Sequence, residues 1–358
     1  MRFIHCADLH LDSKMDSLPS EKAKIRREEV LSTFERLADY ASKINASAVI
    51  IAGDMFDTSR TTLKTRGRVL EAINKNSTVD FLYLSGNHDD DNFLSELEFY
   101  PSNFKVFSED WQSFTYDNTV VSGVKINSIN VSTVYDTLKL DENKLNIVTL
   151  HGQIADYKGE EHAEKISLPR LKNKNIDYLA LGHIHEYSSG KLDERGVYAY
   201  SGCLEGRGFD ETGDKGFVLI EVEDNKLSTQ FIKFSTRNLY EIVFNVENKN
   251  SWSEARRELI DYLQVNYNQN SLIKVVLKGG RKTDCDIDKD GLIKRLNDIF
   301  FFAKVYDKTE LLVTLEDYAT DKSVRGEFVR SVWESDLSAE EKSKIIMCGL
   351  NALKGEEI

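Results

Sequence analysis

Short apolar runs punctuate the first two thirds of the chain, and each stops at a residue suited to polar chemistry. Phe3-Ile4-His5-Cys6-Ala7 ends at Asp8, and residues 48–52 (AVIIA) end at Gly53-Asp54. Residues 81–84 (FLYL) give way to Ser85-Gly86-Asn87-His88, 145–150 (LNIVTL) to His151, and 176–181 (IDYLAL) to Gly182-His183. Runs of this length without polar alternation predict strands buried on both faces. Between the first two, Ile25, Val30, Leu31, Phe34, Leu37, Ala38, Ala41 and Ile44 recur at helical spacing and predict one long amphipathic helix. Helix signals then fade, and 120–131, 197–200 and 217–222 read as strands. The expectation for residues 1–235 is an α/β domain of two packed sheets flanked by helices, not a single doubly wound sheet. From about residue 240 the pattern changes. Predicted strands at 240–246, 272–277 and 311–315 alternate with helices over 251–265, opened by the capping box Ser251-x-x-Glu254, and 291–300. This predicts a small α+β accessory domain over 236–320. Residues 321–358 read as helical, with Phe328, Val329, Val332 and Trp333 on one face. After a second capping box, Ser338-x-x-Glu341, Ile346, Leu350 and Leu353 mark another. Such a pair either packs on its own domain or forms a docking surface.

At 358 residues the chain exceeds what one core accommodates, in keeping with more than one domain. Cys6, Cys203, Cys285 and Cys348 form no CxxC pair, which points to a reducing compartment. The opening MRFIHCADLHLD lacks a signal-peptide core, and no apolar stretch is long enough to span a bilayer, so the expectation is a cytoplasmic protein with no membrane association. A net charge of −13 argues against a protein that coats nucleic acid, but not against a nuclease, since bound divalent cations supply positive charge.

Five pieces carry the chemistry: Asp8-x-His10, Gly53-Asp54-x-x-Asp57, Gly86-Asn87-His88-Asp89, His151-Gly152 and Gly182-His183-x-His185. Of seven histidines, only His5 and His162 fall outside them. Taken singly each piece is weak, because Asp and Gly also punctuate turns. Taken together, five strands ending in such residues suggest one convergent site beyond the strand ends. Residues i and i+2 of an extended chain point alike, so Asp8 with His10, and His183 with His185, are expected to share a side. Asp, Asn and His donors without Cys suit Mn²⁺, Fe or Zn²⁺ rather than Ca²⁺ or structural zinc. Seven ligands (Asp8, His10, Asp54, Asn87, His151, His183 and His185) are too many for one ion, and suit two ions about 3.5–4 Å apart sharing a carboxylate.

The ordered series resembles the calcineurin-type metallophosphoesterase signature, which implies a four-layer fold. The resemblance implies that Asp8, His10, Asp54 and His185 hold one metal and that Asp54, Asn87, His151 and His183 hold the other. It makes His88 a catalytic histidine outside the ligand set; a nearby carboxylate, Asp8 or Asp89, is its expected partner, and Asp57 and Asp89 are candidates to orient imidazoles. The segment 200–216 is similar to that of bacterial SbcD/YhaO-type DNA-repair exonuclease subunits. Gly206-Arg207 and Glu211-Thr212-Gly213-x-Lys215-Gly216 are kept there, while Ser201 replaces the usual Pro and Cys203-Leu204-Glu205 the usual Asn-x-Gln. Asp57 stands where archaeal and eukaryotic relatives carry a second catalytic His, as in the bacterial type. The tail segment 325–330 and residues 349–353 are also YhaO-like.

That resemblance implies a Mn²⁺-dependent DNA nuclease, exo- or endonucleolytic, acting in DNA repair. It implies an SbcC/YhaN-like coiled-coil ATPase on the C-terminal helices, a homodimer formed by catalytic-domain helices, and an accessory domain that caps the active site. Arg207 and Lys215 are candidate substrate-binding residues, with a structural salt bridge as the alternative for Arg207. The run Arg60, Lys64, Arg66, Arg68 either tracks a DNA backbone or is a solvated helix face. Three other readings stay open: a metal-dependent phosphodiesterase or nucleotidase for small molecules, an architectural subunit, and a protein phosphatase. Asp286-x-Asp288-x-Asp290-Gly291 copies half an EF-hand loop, but Asn297 stands at the twelfth position, so the run reads as a helix cap.

Overall fold

Strands buried on both faces need cover on each side, and in the first of two units, Met1–Leu239, two six-stranded sheets provide it for one another. The computed structural model describes residues 1–57, 61–89, 100–155, 165–247, 249, 251–282, 286–312 and 318–354. The first unit opens with β1 (Arg2–Cys6), α1 (Ser20–Lys43), β2 (Ala48–Ala52), α2 (Leu63–Lys75), β3 (Asp80–Leu84) and β4 (Phe104–Val106). It continues with β5 (Gln112–Tyr116), β6 (Thr119–Gly123), α3 (Val134–Thr137), β7 (Leu145–His151), β8 (Gln153–Ile154), β9 (Lys165–Ile166) and α4 (Leu168–Leu171). It closes with β10 (Tyr178–Gly182), β11 (Ser188–Lys191), β12 (Val197–Tyr200), β13 (Gly216–Glu223) and β14 (Lys226–Lys233).

One sheet runs β14-β13-β1-β2-β3-β4 and the other β11-β12-β10-β7-β6-β5. Neighbours from β1 to β4 are parallel, as are β12, β10, β7 and β6. Register pairs Cys6 with Ile51, Ala52 with Leu84, and Gly182 with His151, so within each sheet the carboxyl ends finish level. Phe3, Ile50 and Leu82 share a buried cluster with Ile147, Tyr178 and Ala180, which joins the inner faces of the two sheets. On the outer face of the first sheet, α1 buries Val30, Leu31, Phe34, Leu37, Ala38 and Ala41, and Phe34 meets Phe81 with ring centroids 6.3 Å apart. Each fully buried large apolar side chain of this kind contributes about 1.5–3 kcal/mol. On the outer face of the second, Val148, Leu150, Leu179 and Leu181 pack with Tyr135 and Leu171. The chain thus has the expected mixed α/β architecture, with two sheets flanked by helices.

Two local expectations are corrected. Ile25 is 43% exposed, and Arg26 turns inward in its place, with Nη2 donating to Glu205 Oε2 at 2.7 Å and to Gly206 O at 2.8 Å. The strand anticipated over 120–131 stops at Gly123, because Asn127 Oδ1 accepts from the N–H groups of Ile129 and Asn130 and folds a turn.

The second unit, Tyr240–Ile358, takes over within β15 (Leu239–Asn245). It contains α5 (Trp252–Asn266), β16 (Leu272–Lys282), α6 (Lys289–Ile299), β17 (Phe302–Leu312), α7 (Val324–Trp333) and α8 (Ala339–Lys354). Its sheet runs β15-β16-β17, with β16 and β17 parallel. Ala255, Leu259, Leu263, Leu292 and Leu296 of the helices pack on Ile273, Val275, Leu277, Ala303 and Val305. The last strand begins at Phe302, earlier than the apolar run at 311–315 suggested. Its inner face is set by the alternating residues Ala303 and Val305, and 313–317 lie outside the described residues. Ser251 Oγ accepts from Glu254 N, and Asp288 accepts from Gly291 N, so the acidic run caps α6. α7 and α8 pack on each other around Val329, Ile346 and Leu350, joined by Phe328 and Trp333. Among the described residues no helix is long and apolar enough to cross a membrane.

Candidate metal centre

At the carboxyl ends of β1, β2, β7 and β10 the backbone turns sharply. Asp8 and His10 lie at φ 53° and 43°, Asp54 at 51° and His183 at 100°, all in the left-handed region that L side chains enter at a cost. The surroundings enforce these turns. Asp8 N donates to Gly53 O, His10 N to Asp54 O and Leu11 N to Met55 O, each at 3.0 Å, so the loops after β1 and β2 are zipped together. A Cβ at Gly53 would lie 2.0 Å from His151 Nδ1, and one at Gly86 would lie 2.2 Å from Asp54 Oδ1. Glycine precedes these polar residues because side chains of the site already fill the space.

Three sets of donor atoms result, each within 4.8 Å: Asp8, His10 and His185; Asp8, Asp54 and His151; His10, Asp57 and His88. Asp54 Oδ2 lies 3.4 Å from His151 Nε2 and 3.8 Å from His10 Nε2, between the first two sets. Asn87 Oδ1 is 3.0 Å from His151 Nε2. The His183 ring stands 5.3 Å from that of His151, and its backbone N–H donates to both Asp8 oxygens.

The groups around the rings suit a cation site. His151 Nδ1 donates to Ala52 O at 2.9 Å, His185 Nδ1 faces Glu211 Oε1 at 2.8 Å, and His10 Nδ1 faces Asp57 Oδ1 at 3.1 Å. Acceptors beside the three Nδ1 atoms turn each Nε2 inward, where it offers a lone pair whenever the ring is neutral and its proton stays on Nδ1. Yet His10 Nε2 and His185 Nε2 face each other at 3.1 Å, and His151 Nε2 faces the oxygens of Asn87 and Asp54. Positive charge between such groups satisfies them, a proton on His151 in the metal-free centre or a metal ion in its place, and a mixed N/O donor set without thiolate fits a hard or borderline dication.

The protein's own charges act the same way. Burial pushes Asp8 up to about 6, against the pull of His151 and His185. Burial also opposes the charge on Asp54, but His151, the His88 N–H and His10 outweigh it and hold Asp54 well below the usual carboxylate range. His151 responds in the opposite sense: burial lowers it, while Asp54, Asp8 and Ala52 O raise it to about 9. Burial lowers His10 despite Asp57, whereas Glu211 and Asp8 raise His185 against burial.

Several expected roles differ in detail. Asp8 and His10 meet in one set, but through left-handed turns rather than extended alternation. His183 and His185 diverge: His183 lies by His151, and His185 faces His10. Asp89 orients no imidazole, since its carboxylate accepts from the N–H groups of Phe56 and Gly86 at 2.8 Å each and from Met55 at 3.3 Å. The carboxylate near the exposed His88 ring is therefore Asp57, not Asp8 or Asp89. Lys215 is 2% exposed and donates to His185 O at 2.8 Å, and Arg207 is engaged by Asp57 and Glu211. Lys215 is thus turned away from solvent, while Arg207 keeps an 18% exposed side chain beside the two carboxylates. Of the basic run, Arg60 lies outside the described residues, Arg66 is buried, Arg68 pairs with Glu35 and Glu28, and Lys64 is exposed. Sequence reasoning overlooked Glu211 as the support of His185; its one signal was its place in the Glu-Thr-Gly segment.

The family model for calcineurin-like phosphoesterases matches residues 1–187. The uncharacterized metallophosphoesterase YhaO of Bacillus subtilis is 25% identical over 64% of this chain, which spans 60% of that relative's length. The DNA double-strand break repair protein Mre11 of Saccharolobus solfataricus is 24% identical over 100% of this chain and 96% of its own. A component of the nuclease SbcCD of Staphylococcus epidermidis is 22% identical over 63% of this chain and 67% of its own.

Proposed function

The chain belongs to the calcineurin-like phosphoesterase family, and from that premise we propose that it is a metal-dependent nuclease hydrolysing DNA phosphodiesters, with Mn²⁺ as its ion. The observation that carries the proposal is the set of inward-facing Nε2 and carboxylate acceptors gathered from separate strand ends. DNA as substrate is supported by repair proteins among the relatives, one aligned over the full chain. Asp8, His10, Asp54 and His185 would hold one ion, and Asp54, Asn87, His151 and His183 the other. Bound there, two dications supply Lewis acidity toward a phosphodiester and a nucleophilic hydroxide near neutral pH.

The remaining work falls to the chain's own groups. Asp57, Glu211 and Ala52 O keep three imidazoles oriented with Nε2 inward. His88, exposed at the rim beside Asp57, is placed to give a proton to the departing oxygen. Asp89 holds the loop that carries Asn87 and His88 against the loop after β2. We assign an SbcC/YhaN-like coiled-coil ATPase as partner of α7 and α8, where Ile345 and Leu353 are 40% and 48% exposed. Removing residues 321–358 should then abolish co-elution with that ATPase while metal content stays unchanged.

Metal analysis with cleavage of linear and hairpin DNA, with and without Mn²⁺, tests the nuclease reading. Asp54→Ala should lose both ions and all cleavage, and full cleavage in a chelator would sink the proposal. The net charge of −13 favours a second reading, a phosphodiesterase for small molecules. Turnover of a chromogenic phosphodiester without plasmid degradation would put it first.

A further inference from the structure

Arg207 sits where the supports of two imidazoles meet. Its Nη1 donates to Asp57 Oδ1 at 2.9 Å, the same oxygen that stands 3.1 Å from His10 Nδ1. Its Nε and Nη2 donate to Glu211 Oε1 at 3.0 and 2.6 Å, the oxygen facing His185 Nδ1 at 2.8 Å. The backbone N–H of Arg207 adds a bond to Glu211 Oε2 at 2.7 Å. One guanidinium therefore links the carboxylates behind two rings whose Nε2 atoms face each other at 3.1 Å. The base is itself anchored, since the wholly buried Arg26 holds Gly206 O and Glu205 just before it.

Resting on the dinuclear reading above, we infer that Arg207 is a positioning residue that sets the spacing of His10 and His185, and with it the affinity of the ion they share. The planar guanidinium suits this task, because its fork of donors serves two carboxylates at once. A lysine at the same position keeps the charge but offers a single nitrogen, which cannot hold both carboxylates in a fixed relation. Without the clamp, Asp57 and Glu211 bring two negative charges close together with backbone contacts left to hold them, and each imidazole loses part of its support. The side chain is 18% exposed, and each of its three nitrogens already gives an N–H to a carboxylate, so most of its donor capacity is turned to the clamp.

Calorimetric Mn²⁺ titration of the full chain separates this role from substrate contact. Wild type should bind two ions, and Arg207→Lys should weaken one of them by about 10–100-fold while the other is retained. At saturating Mn²⁺ the variant's KM for DNA should return to the wild-type value. Asp57→Asn, which keeps one oxygen at that end but removes the charge that both Arg207 and His10 meet, should weaken the same ion. If Arg207→Lys binds both ions as wild type does and its KM rises, Arg207 is a phosphate contact and the inference is overturned. If melting of the metal-free protein shows Arg207→Lys to be unfolded, Asp57→Asn decides alone: unaltered ion binding there overturns the clamp. Wild-type protein that takes up no ion is a separate failure, which removes the dinuclear centre and the clamp together.

Discussion

The first unit buries Asp8, Asp54, Arg26, Glu205, Glu211 and Lys215, whereas among the described residues of the second the buried polar side chains reduce to Ser271. The backbone divides the same way. Asp8, His10, Asp54 and His183 adopt left-handed φ in the first unit, and the positive φ values described in the second reduce to Gly279. Both features are costly. An unpaired buried charge costs several kcal/mol, and a strained backbone residue about 1–3 kcal/mol. A unit shaped by packing alone avoids them, as the helices and sheet of the second do with their aliphatic core. In the first unit the strained and the charged residues coincide at one set of loops, and that coincidence separates a working site from ordinary turn chemistry. Asn45, Asp117 and Asn225 are also left-handed, but they lie in turns away from any such cluster.

The contrast between the units breaks first, and furthest, at Asp54. Its replacement by Ala should remove both ions and reduce cleavage to background, and retention of one ion at wild-type affinity would deny it the bridging place. Next in size is His88→Ala. If His88 acts on the leaving group and not on the metals, kcat should fall by about 10²–10⁴-fold with metal content unchanged. Loss of an ion in that variant would move His88 into the ligand set.

Much of this contrast was legible in the chain, for a physical reason. A buried strand needs an unbroken apolar run, so the residue that ends it stands out, and all seven proposed ligands follow such runs closely. What could not be read depends on contacts distant in sequence. Glu211 looks like any loop acid until its carboxylate is found against His185, and Asp57 and Asp89 differ only in which loop each faces. Arg26 is buried because Glu205, 179 residues away, neutralises it, and no helical periodicity announces that. The rule that i and i+2 share a side failed at His183 because a φ of 100° is not expected of histidine.

Smaller effects sharpen the contrast through stability. Leu259→Ala in α5 removes a fully buried side chain from the second unit's core and should cost about 2–5 kcal/mol in denaturant melts, with Mn²⁺ affinity unchanged. In the first unit, burial raises Glu29, but Arg237 and Arg26 outweigh it and hold the carboxyl below its ordinary value. A depressed folded pKa means stability that is fully present above the unfolded value of about 4.3 and is lost as pH falls through the folded one. Glu29→Gln should therefore lower stability at neutral pH and flatten its decline on acidification. An acid titration as steep as that of wild type would mean that other carboxylates carry the effect.

The smallest expected change is Ser251→Ala, and it tests whether the second unit is as conventional as it looks. Ser251 lies in extended backbone, and its Oγ accepts from Glu254 N at 3.3 Å, satisfying one of the N–H groups that the first turn of α5 leaves unpaired. Alanine keeps the backbone but removes the acceptor, at a cost of about 1 kcal/mol. The loss should be confined to this helix, seen as faster amide exchange near Glu254, because Trp252 and Ala255 remain packed and the core behind them is intact. If that single oxygen instead changed Mn²⁺ affinity, the division of labour between a strained, charged unit and a regular, apolar one would fail.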